Sequence, residues 1–304
     1  SRIRGSLDVY NTTTSDLLMF RNLPITTGYE QVLQNVGATI NNGIEIGLST
    51  ANIIKDNFSW NTDITFSSNR TKIDELYNGK VDDIGNQWFI GQPIQVYYDF
   101  QKIGIWQSNE VAEAASFGEQ PGQIKVLDLN NDGAITDADR MILGSPQPDF
   151  IGNITNRFSW NNWDFSFQAY VRWGGMTSVD AFQPFSKKRY NKMVFDYWTP
   201  SNPTNDYPRP NQLYEGGGLY GSTLTYRDAS QISLRQLSLG YNFPKRMLDD
   251  LGVISGFRVY LSVENLAYWT KSELSKFNMK ADFPDDVTGY PEVRTFVTGI
   301  NLSF

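Results

Sequence analysis

The chain has 304 residues with a net charge of −7 and a pI near 4.8, which argues against a nucleic-acid binder, since that needs a basic face to displace counterions. It contains no cysteine and no histidine, so disulfides, thiolate or imidazole metal sites, thiol nucleophiles and a Ser-His-Asp triad are excluded. No apolar run reaches the ~18 residues of a membrane-crossing helix, although a membrane barrel stays open, because every second residue of its strands faces the lumen and is polar.

The first predicted strand is 2–10. Ile3, Leu7 and Val9 share one parity and Arg2, Arg4, Ser6 and Asp8 the other, the period of two that a strand imposes. Because Ser1 opens directly in strand-like sequence, the start reads as a truncation or cleavage point. A long polar loop with Thr12, Thr13, Thr14, Pro24 and Gly28 follows. The second strand covers 38–50, with Ile40, Ile44, Ile46 and Leu48 on one face. A short connection, 51–57, leads to the third, where Phe58, Trp60, Ile64 and Phe66 oppose Ser59, Asn61, Asp63 and Ser67. Residues 69–92 read as a mixed loop and 93–104 as a fourth strand.

Residues 148–160 and 162–173 read as a tight hairpin turned at Asn161-Asn162. Its second arm alternates most strongly: Trp163, Phe165, Phe167, Ala169, Val171 and Trp173 against Asp164, Ser166, Gln168, Tyr170 and Arg172. A Trp at each end of an apolar row suits two aromatic girdles flanking a lipid band; a sandwich strand with an aromatic core face would alternate in the same way. Aromatics are 14% of the chain, and Tyr and Trp, which suit places where apolar and wet surroundings meet, are more than half of them. A loop at 174–229 is long enough to point to function. Strand 230–243 changes parity, which predicts a bulge near Arg235-Gln236. A helical piece between Pro244 and Leu251 precedes strand 256–265, the loop 266–293 and a last strand, 294–304. That strand places Phe296, Ile300, Leu302 and Phe304 on one face and suggests a closed barrel, in which it pairs with a further strand and leaves no free edge.

In a membrane barrel, short turns and long loops segregate to opposite rims. Nine strands would put the short links at 51–57 and 161–162 on opposite sides. One more strand, at 123–127, restores the alternation and gives about ten antiparallel strands in an all-β fold.

Residues 128–139 carry the spacing of a calcium loop. Asp128, Asn130, Asp132, the Ala134 carbonyl, Thr136 and Asp139 supply oxygens, and Gly133 allows the sharp turn. Position 12 is Asp rather than the usual Glu, so a bound Ca2+ would be held less tightly, with a structural role. The same residues also suit an Asx-rich turn whose side chains bond their own backbone.

Several segments together resemble the SusC/RagA family of TonB-linked outer-membrane proteins. They are the run from Pro121 to Thr136, Asp139-Arg140, Leu143-Gly144, Pro148 to Gly152, Asn41 to Glu45, Phe58-Ser59-Trp60, Trp198-Thr199-Pro200, Asn202-Pro203-Thr204, Tyr207-Pro208-Arg209, Val259 to Ser262, Glu264-Asn265-Leu266, Tyr290-Pro291 and Arg294-Thr295-Phe296. The resemblance covers nearly the whole chain. It implies the C-terminal part of a large transmembrane β-barrel of about 22 strands, located in the outer membrane of a Bacteroidetes-type bacterium. It also implies a plug domain inside the barrel, a SusD-like surface lipoprotein as a lid, TonB as the driver, and glycan oligomers or peptides as substrates. Plug, TonB-contacting segment and N-terminal barrel strands are absent from this sequence.

On this reading the chain is part of an importer and no enzyme, and its partners are the remaining barrel and plug, the lid lipoprotein, the TonB complex, outer-membrane lipid and the substrate, with no nucleic acid. Substrate contacts are expected from loop aromatics that stack on sugar or peptide groups: Phe182, Phe185, Tyr190, Tyr214, Tyr220 and Trp269 first, with Trp173, Tyr268, Phe277 and Phe283 beside them. Each could instead pack within its own loop or against the lid. Two other readings compete with this one: a soluble surface glycan-binding β protein, and a glycosidase using two of Asp282, Asp285, Asp286 and Glu292.

Overall fold

The computed structural model describes residues 2–23, 25–35, 37–183, 194–210, 218–248, 252–277, 279–280 and 293–304. Eight strands build one antiparallel sheet whose spatial order is the chain order. They are β1 (Ile3–Ser15), β2 (Ala38–Lys55), β3 (Phe58–Glu75), β4 (Phe150–Trp160), β5 (Trp163–Trp173), β6 (Gln231–Asn242), β7 (Gly256–Thr270) and β8 (Thr295–Ser303). No helix among the described residues is long and apolar enough to cross a membrane.

Alternation sets the two faces, and register makes each face continuous. Leu7 lies opposite Ile46, and Ile46 opposite Phe66. Ile64 lies opposite Ile154, which lies opposite Ala169, which lies opposite Leu234. Leu239 faces Leu261, and Val263 faces Phe296. Among the described residues no second layer covers this apolar face: Leu7, Val9, Trp160, Ile232, Phe296 and Ile300 are all exposed. In water, a bare apolar surface of this extent would drive association.

Among the described residues the sheet has eight strands rather than about ten. Residues 93–104 and 123–127 do form short strands, but outside the sheet: Tyr97–Phe100 pairs with Arg140–Gly144, and Lys102–Ile105 with Ile124–Val126. The rim argument required an even number of crossings between the two tight turns. Removing the fourth strand satisfies it as well as adding one. The turns at 56–57 and 161–162 and the connection 243–255 lie at one rim, and the long connections 16–37, 76–149, 174–230 and 271–294 at the other. Asn161 takes a left-handed φ of 51°, as a two-residue hairpin turn demands.

Strands β1, β2, β3 and β7 run past the lengths that alternation gave, and a hairpin of Leu18–Asn22 with Gln31–Asn35 occupies part of the predicted polar loop. The bulge falls where the parity changes: Leu234 and Gln236 are paired in β7 and Arg235 is skipped.

The buried core lies in the long connections, not on the sheet. Phe100, Ile105, Ile124, Val179, Phe182, Trp198, Leu224 and Leu274 meet there. The long-loop rim thus carries a packed cap, and the sheet below it has one bare apolar face and one polar face.

Candidate functional site

The polar face is a wall of charged and amide side chains held by cross-strand bonds. Arg258 in β7 reaches across β6 to Asp164 in β5, donating from Nε at 3.0 Å and from Nη2 at 2.6 Å. The strand between them has Gly240 at the crossing, where a Cβ would stand 2.5 Å from the Arg258 Nη2. Tyr10 lies across Gly43; its hydroxyl donates to Glu45 at 3.2 Å and accepts from the Asn69 amide at 2.9 Å. Arg157 pairs with Asp63, Gln168 donates to Asn153 at 3.0 Å, and the Arg235 guanidinium sits 3.5 Å over the Tyr170 ring. Such a surface stays hydrated, and it offers hydrogen bonds along its whole height.

At the upper rim the long connections are cross-braced. Arg227 donates to Glu273 from Nε at 3.1 Å and from Nη2 at 2.9 Å, donates to the carbonyls of Leu224 and Tyr226 at 2.8 Å, and lies 4.1 Å from the Phe182 ring centre. Tyr207 donates to the same Glu273 oxygen at 3.2 Å. Tyr226 donates to the buried Asp99 at 2.9 Å, and Trp198 Nε1 donates to Gln107 at 2.9 Å. Burial pushes the phenols of Tyr207 and Tyr226 far up, so both keep their donor protons at any ordinary pH. These bonds join three connections far apart in sequence, and the cap behaves as one unit.

The predicted contact residues do not converge. Phe182 is fully buried and packs edge-on against Phe277 at 5.5 Å, so both build the cap core. Tyr220 meets Phe100 edge-on, with ring centres 5.0 Å apart, against that core. Trp269 is in β7 opposite Ile232, and Trp173 ends β5. Both are exposed on the apolar face, at its long-loop end. Tyr268 is opposite Ser233 on the polar wall. Phe185, Tyr190, Tyr214 and Phe283 lie outside the described residues, as do Asp282, Asp285, Asp286 and Glu292. The bracing residues Arg227, Glu273 and Tyr207 escaped the sequence reading, because no local pattern marks partners 46 and 66 residues apart.

The 128–139 loop is closed by its own side chains. Asp128 accepts from Gly133 N at 2.9 Å, Asn130 from Asp132 N at 2.9 Å, and Asp132 from Ala134 N at 2.9 Å. Asp139 is buried and accepts from the backbone N–H groups of Thr136 at 2.8 Å and Leu129 at 2.9 Å. Those donors, Thr136 first, hold its carboxyl below the usual range. Among the described residues no three acidic side chains converge as a metal cage. The bonds are those of an Asx-rich turn, and free lone pairs remain on Asp128, Asn130 and Asp132.

No protein-family model matches the chain. Relatives and solved structures do. TonB-dependent receptor P26 of Formosa agariphila is 33% identical over the whole chain, which covers 33% of that protein. TonB-dependent receptor SusC of Bacteroides thetaiotaomicron is 25% identical over the whole chain, covering 30% of it. The RagAB peptide importer in its 'open-open' state superposes with a TM-score of 0.75 at 23% identity, over the whole chain and 33% of the importer chain. The chain spans about a third of the length of the curated relatives it matches. Along its entire length, the chain is therefore homologous to one third of a SusC-like TonB-dependent receptor, and its sheet has the fold of part of a RagA-type barrel.

Proposed function

We propose that this chain forms about a third of the wall, and part of the outer cap, of an outer-membrane TonB-dependent importer. The observation that carries the reading is the two-faced sheet with sorted rims. One face is an uncovered apolar band edged by aromatics, the other is hydrated, and all long connections share one end. The row from Trp163 to Trp173 spans eleven residues, about 34 Å of strand and about 24 Å of height at a ~45° tilt, which is the height of a lipid-facing barrel band. Among the described residues β1 and β8 each pair on one side only, and further strands on both would close the cylinder.

The cargo in this reading is peptides or glycan oligomers: RagAB is a peptide importer, which supports peptides, and glycan oligomers are what the family resemblance in the sequence implies. They would be taken in beneath a SusD-like lipoprotein that closes over the cap, with TonB acting on the part of the receptor beyond this chain. Transport of this kind forms no covalent bond, and the chain does no catalysis. The loop 128–139 would hold a calcium ion through Asp128, Asn130, Asp132, the Ala134 carbonyl, Thr136 and Asp139, as a brace for the cap and not as a reactant. A soluble glycan-binding protein is disfavoured by the bare apolar face.

Mild detergent extraction of native outer membrane, followed by mass spectrometry of what stays with this chain, tests the proposal. Recovery with the remaining barrel sequence and a lipoprotein is expected. Recovery of the chain alone in detergent-free buffer would sink it.

A further inference from the structure

An open groove of about 730 Å3 runs over the cap between residues 108–121 and 198–210, a volume in the range of ligand sites. Val111, Pro121, Pro200 and Pro210 give it apolar walls, with Trp198 and Arg209 beside them. Its two sides are fastened to each other. Trp198 Nε1 donates to Gln107 at 2.9 Å, and the Arg209 backbone N–H donates to the Gly122 carbonyl at 2.8 Å. A Cβ on Gly122 would stand 2.6 Å from the Trp198 ring and 2.7 Å from Arg209 Cδ, so this glycine lets the indole and the arginine stem close on the backbone. Most polar groups of the groove are already committed. Thr199 exchanges backbone bonds with Asn202, and its hydroxyl is 3.2 Å from that of Ser201. The prolines have no N–H to give. Arg209 donates from Nη2 to Gln120 at 2.8 Å, a neutral acceptor, and among the described residues no carboxylate pairs with it. A guanidinium fork matches a carboxylate in two-point geometry, so the groove suits an anion with an apolar group next to it. A neutral glycan oligomer suits it poorly. Its hydroxyls need many free hydrogen-bonding groups, and its ring faces need an open aromatic platform, whereas Trp198 is buried.

We propose that this groove captures the C-terminal end of a peptide. The terminal carboxylate pairs with Arg209, and an apolar last side chain packs against Val111, Pro121, Pro200 and Pro210. The inference rests on the importer reading and, within it, selects peptides over glycan oligomers as what the groove takes.

The test is calorimetric titration of the full-length receptor, purified in detergent with its lipoprotein, using the peptide Ala-Ala-Ala-Phe, its C-terminal amide and maltohexaose. In the native receptor, amidation should weaken binding about tenfold. Arg209→Gln should weaken the free-acid peptide as much, and amidation should then cost that variant nothing further. Val111→Trp, at an exposed position where the larger ring fills the groove, should weaken both peptides. An amidation cost that is the same in Arg209→Gln as in the native receptor overturns the groove and leaves the importer reading standing. So does a receptor that binds no peptide yet runs as a heat-modifiable barrel with its lipoprotein. Maltohexaose binding that Val111→Trp abolishes overturns the choice of peptides. A native receptor with neither heat-modifiable migration nor a lipoprotein refutes the importer reading, and this cargo with it.

Discussion

Ala169 and Gln168 are neighbours in β5 that the alternation sends to opposite faces, and an arginine at each separates lipid from lumen. Ala169 is opposite Ile154 and Leu234 on the apolar side, and Gln168 bonds Asn153 on the polar side. Ala169 is six residues above Trp163, about 14 Å of height at a ~45° tilt, which puts it within ~2 Å of the middle of the band. An arginine facing lipid at that depth costs about 2–4 kcal/mol, whereas one facing an aqueous lumen is a surface substitution, usually within about 0.5 kcal/mol. At 1.36 kcal/mol per tenfold, Ala169→Arg should lower the folding equilibrium by roughly 30- to 900-fold, and Gln168→Arg by less than about tenfold. Equilibrium unfolding of the full-length receptor in phospholipid vesicles reads the difference. Equal costs at the two positions would refute the assignment of faces.

Other expectations concern the cap and the wall bracing. Phe182→Ala opens a cavity in the cap core; a deletion of this kind costs about 3–5 kcal/mol, and hydrogen exchange should quicken at Ile105 and Leu274 while β4 and β5 keep their protection. Glu119 is buried without a side-chain partner among the described residues, and burial pushes its carboxyl up. The unfolded chain then gives up this proton first, so cap stability falls as pH rises through the ordinary carboxylate range toward the raised value. Glu119→Gln should remove that fall and slow cap proteolysis at neutral pH, and an unchanged pH profile would count against the burial argument. If the 128–139 loop holds calcium, a chelator should expose it to protease in the native receptor but change nothing in Asp128→Ala; equal cleavage of the native receptor with and without chelator rules the ion out. Gly240→Ala places a methyl between Arg258 and Asp164, and the thermal midpoint should drop about as far as in Asp164→Asn, with no further drop in the double variant.

How far the sequence could be read depends on the range of the interaction. The hairpin 148–173, the bulge at Arg235 and the final strand are legible because an apolar face opposite a polar one imposes a period of two. Above the band that contrast ends. Thr12 to Ser15 and Asn69 to Glu75 continue as strands with no alternation to mark them. The segments 93–104 and 123–127 carry strand character, but only their partners, Arg140–Gly144 and Lys102–Ile105, reveal that they belong to the cap. Composition likewise could not tell which loop aromatics pack inward. Phe182 is sealed under Arg227, whereas Trp269, taken for a loop residue, is on a strand facing outward.

The most direct test of the account is a cysteine scan along β5. This chain has no cysteine of its own, so each position from 163 to 173 can carry a single thiol within this segment and be challenged with a membrane-impermeant maleimide in outer-membrane vesicles. The account predicts labelling at 164, 166, 168, 170 and 172 and protection at 165, 167, 169 and 171. Labelling of both sets alike in a folded receptor would mean that water reaches both faces, and the membrane wall would be wrong.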